Sequence, residues 1–224
     1  MELNNEQSKR KNILLGISGS VASIKLEQLT NQLTQTLNVN ICIVPTQNSL
    51  HFVPEFTEHF NKQLPLLADR LEFLNKQKSI ACEEKTVLAF TDADEWSSWQ
   101  KRSDPVLHIE LKKWADLMLV APLDANTMSK FANGLCDNLL TCIARAWDLN
   151  DMHRCPIFIC PAMNTFMYKH PVTGKHLRVL TDEYQYRVVD CVEKLLICGD
   201  VGMGAMADVD TIVNVVKQFL SENV

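Results

Sequence analysis

Two short segments carry the side chains best suited to chemistry. Pro161-Ala162-Met163-Asn164 follows the apolar run Ile157 to Cys160, and Cys198 to Met206 follows Leu195 to Ile197. Each run is typical of a buried strand, and an open α/β sheet binds its ligands just beyond the carboxyl ends of its strands. An amide at one strand end, and a thiol with three glycines at another, therefore predict an active site. The glycines would let the second segment move or approach a ligand closely.

A third segment, Ile13 to Ala22, has the pattern of a strand, a turn of small residues and a helix start. Backbone N–H groups at a helix N-terminus, together with the Ser18 and Ser20 hydroxyls, form an anion site. The glycine spacing does not match the dinucleotide fingerprint, and the second strand ends Val44-Pro45-Thr46-Gln47 without the acid that binds a ribose. The turn favours a single phosphate, as in FMN. Taken alone, an ordinary turn with a serine cap is the simpler interpretation.

The loop after the fourth predicted strand, Ala121 to Thr127, supports a flavin. Its small and amide side chains suit contact with the ring or the ribityl chain. The alternative is that Asp124 or Asn126 caps the following helix, and one loop can serve both roles. The predicted FMN contacts are residues of these turns and strand ends, namely Gly19, Ser20, Val21, Thr46, Phe52, Asp124, Ala125, Asn126, Thr127 and Ala162.

The elements that must position these segments alternate between apolar runs and amphipathic stretches of helix length. This pattern predicts one α/β domain over residues 12–222, a doubly wound (Rossmann-like, flavodoxin-like), mainly parallel sheet with helices on both faces. Residues 1–11 form a polar tail, and a glycine-free stretch at about 61–86 is predicted to be a surface insertion with some helix. The predicted strands are Asn12–Ser18, Val39–Pro45, Val87–Phe90, Asp116–Pro122, Pro156–Pro161, Arg187–Asp190 and Leu195–Ile197. The predicted helices are Val21–Leu37, Leu107–Trp114, Asn126–Trp147, Lys175–Thr181 and Asp208–Glu222.

Composition narrows the class of protein. With 224 residues, 46% of them hydrophobic and 22% charged, the chain fits one soluble domain. The formal net charge of −5 argues against a nucleic-acid partner. The apolar runs are too short to cross a bilayer, and the polar N-terminus lacks a secretory signal. The eight cysteines have no paired spacing and no zinc-site spacing with histidine, which indicates buried, reduced thiols in a cytoplasmic protein without a bound metal.

Together these motifs resemble the phosphopantothenoylcysteine decarboxylases, within the wider family of homo-oligomeric flavin-containing cysteine decarboxylases. The similarity covers about Ile13 to Val216, and six motifs occur in the same order. Two departures stand out: Met167-Tyr168 occupies a position where the family usually has Met-Trp, and the connection around residues 61–86 is longer than usual. The six motifs are Gly19 to Ala22, Asp104 to Leu111, Ala121 to Thr127, Cys136 to Leu140, Pro161 to Asn164 and Cys198 to Met206.

The resemblance implies FMN, a homotrimer with active sites at subunit contacts, and decarboxylation of 4′-phosphopantothenoylcysteine to 4′-phosphopantetheine in coenzyme A synthesis. Direct loss of CO₂ from an N-acylcysteine leaves a carbanion with no carbonyl beside it. Prior oxidation of the CH₂–SH group to a thioaldehyde, with a flavin as oxidant, provides the missing electron sink.

The resemblance also assigns roles to four residues. His108 is the base of the oxidation, because an imidazole transfers protons near neutral pH. Asn164, with Met163 beside it, orients the substrate carboxylate without a full positive charge that would hold it back. Cys198 protonates the enethiolate, since an ordinary thiol is mostly protonated at pH 7. The plainer interpretations are a helix-capping histidine, a loop asparagine bonded to its own backbone, a core methionine and a buried structural cysteine.

Two other functions stay open. A decarboxylase of C-terminal peptidyl cysteine would use the same oxidation but stop at the enethiol, which the presence of Cys198 disfavours. A regulatory flavoprotein subunit that binds a protein phosphatase is the second alternative. Such relatives often carry long extensions with an acidic tail, whereas this sequence ends at Val224 without one and holds His108, Asn164 and Cys198 together.

Overall fold

The central sheet has the strand order of a doubly wound fold. The computed structural model describes residues 10–79, 86–195 and 201–222. Six described strands are parallel and lie in the order β3-β2-β1-β4-β5-β6, which reverses direction between β1 and β4. This confirms the predicted fold class and places the ligand-binding crevice of such folds at the carboxyl ends of β1 and β4. The strands are Lys11–Ile17 (β1), Val39–Pro45 (β2), Val87–Ala89 (β3), Leu117–Leu123 (β4), Ile157–Pro161 (β5) and Arg187–Val188 (β6).

The sheet is covered on both faces, which explains why its strands are continuous apolar runs rather than alternating ones. Every residue of β2, β4 and β5 is buried. Along β1, Ile13, Leu15 and Ile17 pack into one core layer, and Leu14 packs into the other. Leu15 pairs with Ile43 of β2 on one side and with Leu119 of β4 on the other.

The helices divide between these two layers. Buried side chains of α1, α2 and α10 pack on one face, and those of α3, α5, α6 and α7 pack on the other. No helix within residues 10–79, 86–195 and 201–222 is long and apolar enough to cross a membrane. The helices are Leu26–Thr36 (α1), Phe56–Phe60 (α2), Leu67–Ser79 (α3), Asp92–Ser98 (α4), Leu107–Trp114 (α5), Ala125–Asn133 (α6), Leu139–Arg145 (α7), Thr165–Lys169 (α8), Pro171–Arg178 (α9) and Val209–Glu222 (α10).

Two predicted helices are each split in the structure. The prediction over Val21–Leu37 was wrong at its start, because a 3-10 turn over Val21–Lys25 precedes α1. The single helix predicted over Asn126–Trp147 is α6 and α7. Gly134 ends α6 in a left-handed conformation, with φ of 70°, and the Asn138 side chain starts α7 by accepting a hydrogen bond from the Thr141 N–H at 2.9 Å.

The last predicted strand, Leu195–Ile197, does not extend the parallel sheet. Leu195 ends Val192–Leu195 (β7), which pairs antiparallel with Val201–Ala205 (β8) in a separate two-stranded sheet. Residues 196 and 197 lie outside the described residues. The prediction also placed helix over Lys175–Thr181, where the structure has α9 followed by a π-helical turn.

Candidate active site

Ser18 ties together the ends of the two strands that flank the switch point. Its backbone N–H and its hydroxyl both donate to the Pro122 carbonyl, at 3.2 and 3.0 Å. The same hydroxyl accepts a hydrogen bond from the Asp124 N–H at 2.7 Å. The turn after β1 and the loop after β4 are thus one hydrogen-bonded unit.

Gly19 brings a third loop into this unit. A Cβ on Gly19 would lie 2.9 Å from the Cβ of Asn48 and 3.3 Å from Oδ2 of Asp124, so the three loops close around a residue without a side chain. The Asp124 carboxylate also caps α6, accepting from the Thr127 N–H at 2.9 Å. Of the two predicted candidates for that cap, Asp124 is therefore the one that acts.

The remaining residues of the turn and loop have ordinary backbone roles. Ser20 caps the 3-10 turn by accepting from the Ala22 N–H at 3.4 Å. Val21 and Asn126 are exposed, and the Thr127 side chain is buried. Ala125 starts α6.

The Thr46 side chain indicates a polar ligand site beside this unit. Its backbone N–H donates to the Ile17 carbonyl at 2.9 Å, which places it next to the turn after β1. Its side chain is buried, and within the described residues the Oγ1 atom makes no hydrogen bond. A buried hydroxyl without a partner is costly unless a ligand satisfies it. Together with the Ser20 hydroxyl and the glycine turn, it fits a polar ligand such as the phosphate or ribityl chain of FMN.

Phe52 and Ala162 complete the predicted FMN contacts. Phe52 ends a 3-10 turn over Gln47–Phe52 and packs edge-on against the His51 ring, with ring centroids 5.2 Å apart. The Ala162 N–H donates to the Leu123 carbonyl at 2.9 Å, so the loop after β5 continues the pairing with β4. Both residues follow strands whose carboxyl ends meet at this edge of the sheet.

Asn164 caps α8 through its side-chain oxygen, which leaves its side-chain NH₂ group available as a donor. Its Oδ1 atom accepts from the Met167 N–H at 2.9 Å and starts α8. Within the described residues its Nδ2 group makes no hydrogen bond, and the residue is exposed. The cap fixes the amide plane, so the remaining N–H donors have a defined position. Met163 is half-buried against the core, and its N–H donates to the Gly204 carbonyl at 2.9 Å.

The β7–β8 hairpin packs directly on the loop that carries Asn164. A Cβ on Gly204 would fall well inside 3.0 Å of the Met163 carbonyl oxygen, and one on Gly202 would overlap the Thr165 side chain. These two glycines allow the hairpin to pack closely on the Asn164 loop, and the prediction that the segment also moves stays a prediction. Cys198 and Gly199 lie outside the described residues.

A cysteine at the base of this hairpin adds a further contact. The Cys191 thiol donates to the Pro161 carbonyl at 3.1 Å, and burial raises its pKa to about 12. The six described cysteines are free thiols, as expected, but only three of them are buried. Cys142 and Cys155 are half-buried and Cys136 is exposed.

His108 lies in the first turn of α5. Because α5 ends immediately before β4 begins, its first turn lies at the carboxyl edge of the sheet. The Nδ1 atom is 2.6 Å from Oε1 of Glu95, and the backbone N–H donates to Oε2 of the same carboxylate at 2.9 Å. Within the described residues, no side-chain hydrogen bond joins His108 to Asn164 or to the turn after β1.

Glu95 was missed by sequence reasoning, as was the helix that carries it. The pattern Thr91-Asp92-Ala93-Asp94 could have revealed that helix, because it is a capping box: Thr91 and Asp94 cap each other at the start of α4. Asn48 and Thr165 were also missed; the buried Oγ1 atom of Thr165 makes no hydrogen bond within the described residues.

A doubly wound sheet with a serine–glycine turn at its switch point, and an orphaned hydroxyl after the neighbouring strand β2, is typical of the flavin- or nucleotide-binding class of α/β proteins. Residues 1–221 match the Flavoprotein family, and the chain belongs to it. Mouse phosphopantothenoylcysteine decarboxylase is 42% identical over 217 residues, which cover 97% of this chain and 91% of the mouse protein. The Arabidopsis thaliana phosphopantothenoylcysteine decarboxylase is 43% identical over 219 residues, 98% of this chain and 89% of that protein.

Solved structures agree with the family assignment. A cysteine-to-serine mutant of PPC decarboxylase, complexed with pantothenoylaminoethenethiol, has a TM-score of 0.76 and 42% identity, covering 95% of this chain and 99% of its own. The FMN-binding protein AtHal3 has a TM-score of 0.74 and 42% identity, covering 96% and 99%. The resemblance drawn from the motifs is confirmed.

Proposed function

We propose that this chain catalyses the FMN-dependent decarboxylation of 4′-phosphopantothenoylcysteine to 4′-phosphopantetheine in coenzyme A synthesis. The observation that carries the proposal is the similarity, over nearly the whole chain, to the phosphopantothenoylcysteine decarboxylases of mouse and Arabidopsis. The Flavoprotein family and the likeness to an FMN-binding protein support the cofactor. The chain is thus a carboxy-lyase.

The residues that would hold FMN are those around the switch point. They include the Ser18-Gly19-Ser20 turn, Thr46 with its unsatisfied hydroxyl, and the capped loop at Asp124. When bound, FMN supplies a two-electron acceptor that later returns the electrons. The protein must bind the substrate, orient its carboxylate and move protons.

The geometry of His108 suits the removal of a proton, and that of Asn164 suits the orientation of the substrate carboxylate. Glu95 occupies Nδ1 of His108, so Nε2 is the ring nitrogen left to remove a proton from the substrate. The Asn164 amide, fixed through its Oδ1, offers N–H donors to the substrate carboxylate. A neutral donor orients the carboxylate without stabilising it strongly. A full positive charge would stabilise the carboxylate and so oppose the loss of CO₂. Cys198 is proposed to donate the later proton.

We further propose a homotrimer whose active sites lie at subunit contacts. Two apolar patches support it. Trp96 on α4 and Trp99 just after it are 81% and 53% exposed and follow Glu95 in the sequence. On α8, Phe166 and Met167 are 79% and 45% exposed and follow Asn164. Exposed apolar patches of this kind are typical of interfaces. If the first patch of one subunit meets the second patch of the next, His108 and Asn164 of different subunits share one site, and a closed ring results.

Mixed trimers test this arrangement. His108→Ala and Asn164→Ala chains, each expected to keep only residual activity alone, are co-expressed and purified together. In a shared site, random assembly leaves about a quarter of the interfaces with both residues intact, so about a quarter of the activity returns. A site within one subunit gives no recovery. Light scattering should give about three times the 25.4 kDa chain mass.

The product tests the reaction. The purified yellow protein, incubated with 4′-phosphopantothenoylcysteine, should release CO₂ and form 4′-phosphopantetheine by mass spectrometry. Cys198→Ser should still release CO₂ but yield an enethiol about two mass units lighter, because a serine hydroxyl is a far weaker acid. In a relative, a cysteine-to-serine mutant was solved with an aminoethenethiol bound. Normal 4′-phosphopantetheine formation by Cys198→Ser would remove Cys198 from the mechanism. If the wild type converted only C-terminal peptidyl cysteine, the proposed substrate would be wrong.

A cytoplasmic location is also proposed. Its support is the free state of the six described cysteines, which is usual in a reducing compartment. Fractionation of cells that express the tagged protein tests it.

A further inference from the structure

We propose that Glu95 is a positioning residue that sets the tautomer and the ring orientation of His108. This inference rests on the proposed role of His108 as a base. The Glu95 carboxylate makes two hydrogen bonds with His108. Its Oε1 atom is 2.6 Å from Nδ1 of the ring, and its Oε2 atom accepts from the backbone N–H at 2.9 Å. Two contacts from one carboxylate to one residue fix the ring relative to its own backbone.

The chemistry of the pair determines which nitrogen can act. A carboxylate only accepts hydrogen bonds, so Nδ1 of His108 carries the proton and donates it to Glu95. In the neutral ring the lone pair then belongs to Nε2, the nitrogen directed away from Glu95. Both side chains are well shielded from water, at 25% and 14% exposed. Without Glu95, the ring would populate both tautomers and rotate, and only a fraction of molecules would hold a competent base.

The helix that presents Glu95 is itself fixed by its neighbours. Asp94 caps the start of α4 and receives a hydrogen bond from the buried Arg70 of α3 at 2.7 Å. Arg70 also donates to the Ala89 carbonyl and lies 5.0 Å from the centre of the Phe90 ring. On the other side of α4, the Leu139 N–H donates to Asp92 at 2.8 Å. Glu95 therefore acts from a rigid support, as a group that orients a catalytic ring requires.

A purely structural role for Glu95 makes a different prediction. Val106, the residue before α5, provides no side-chain cap, and Glu95 satisfies one N–H of that first turn instead. As a cap alone, Glu95 would affect stability and every activity of the site alike. As a positioning residue, it affects the rate only while the imidazole of His108 is present.

The experiment is a double-mutant cycle on the FMN-loaded enzyme, with Glu95→Gln, His108→Ala and the double variant. Glu95→Gln should lower kcat by about 10- to 100-fold, in the range of other residues that orient a catalytic ligand, while KM changes less than about threefold. In the His108→Ala background, Glu95→Gln should cause no further loss. Glu72→Gln is the matched control: it removes an exposed carboxylate that pairs with Lys76 within α3, and it should retain full activity.

A tautomer measurement gives an independent result. ¹⁵N–¹H correlation spectra of labelled holoenzyme should show His108 protonated at Nδ1 in the wild type, with the Nε2-protonated form appearing in Glu95→Gln, because a glutamine amide can also donate. If Glu95→Gln fails to bind FMN, the cycle is run with Glu95→Asp, which keeps the carboxylate but shortens its reach and should lose rate in the same way.

The outcomes separate the two proposals. An unchanged kcat in Glu95→Gln, or an equal loss in both backgrounds, overturns the role of Glu95 and leaves the role of His108 intact. Full activity of His108→Ala overturns the assignment of the base itself, and the inference on Glu95 with it.

Discussion

Gly204→Ala should damage turnover far more than it damages stability. Gly204 has φ of 128°, a conformation that residues with a side chain rarely adopt, and a Cβ there would overlap the Met163 carbonyl. Such strain costs on the order of 1–3 kcal/mol, and forcing a backbone shift costs about as much again. If the site held its geometry, the total would be roughly 2–6 kcal/mol.

A shift of the hairpin would relieve this overlap at a lower cost in free energy of unfolding. The hairpin can move off the Asn164 loop at the cost of the hydrogen bond from Met163 to Gly204 and some packing, about 1–2 kcal/mol. For a chain of this size each kcal/mol lowers Tm by about 2–4 °C, so we expect a fall of roughly 2–8 °C. The same movement displaces Asn164, and a misplacement of about 1 Å can cost 10²-fold in rate.

The assay compares Tm and kcat at fixed protein and FMN concentrations, because both ligands and assembly shift Tm. Gly174→Ala in α9 is the matched control. A Cβ there makes only an ordinary contact, 3.8 Å from Arg178, and alanine favours helix, so Tm should stay or rise and kcat should not change. Gly204→Ala with a Tm within about 1 °C and a kcat within about twofold of the wild type would refute the reasoning.

Two further predictions concern buried polar atoms. Thr46→Val removes the unsatisfied hydroxyl, so the apoprotein should be as stable or more stable while the Kd for FMN rises about two- to tenfold; equal FMN affinity would show that the hydroxyl faces no ligand. At pH 8, Cys191, whose raised pKa of about 12 leaves only about 1 thiol in 10⁴ ionised, should resist iodoacetamide while the exposed Cys136 reacts; peptide mass mapping should show this order, and preferential labelling of Cys191 would contradict it.

The sheet was predictable from sequence because its strands are buried on both faces. A continuous apolar run bounded by turn residues has few other interpretations, and β1, β2 and β5 lie within about one residue of their predicted bounds. The helices were harder. The split between α6 and α7 depends on Gly134 and Asn138, two local signals inside an otherwise helical pattern. The antiparallel pairing of β7 with β8 depends on tertiary packing, which no local pattern contains.

The site was predictable to the extent that it consists of strand ends. The turn at Gly19 and the loop at Asp124 follow adjacent strands, and the structure places them in contact. Glu95 could not be predicted because its partner, His108, lies 13 positions away on another helix, and the motif that contains His108 does not include Glu95. The motifs mark where ligands bind, whereas the contacts that orient a catalytic side chain come from packing.

The site consists of two parts that should fail in different ways. The FMN part is built from strand ends at the switch point, where the Ser18 hydroxyl joins the ends of two strands through two hydrogen bonds. The reaction part is carried by a first helical turn at His108 and by the Asn164 loop, which depends on glycine contacts with a small hairpin. Changes at Ser18 or Thr46 should therefore weaken FMN binding and turnover together. Changes at His108, Glu95 or Asn164 should leave a yellow protein that no longer turns over, because they remove proton transfer or orientation and leave the FMN-binding turn unchanged.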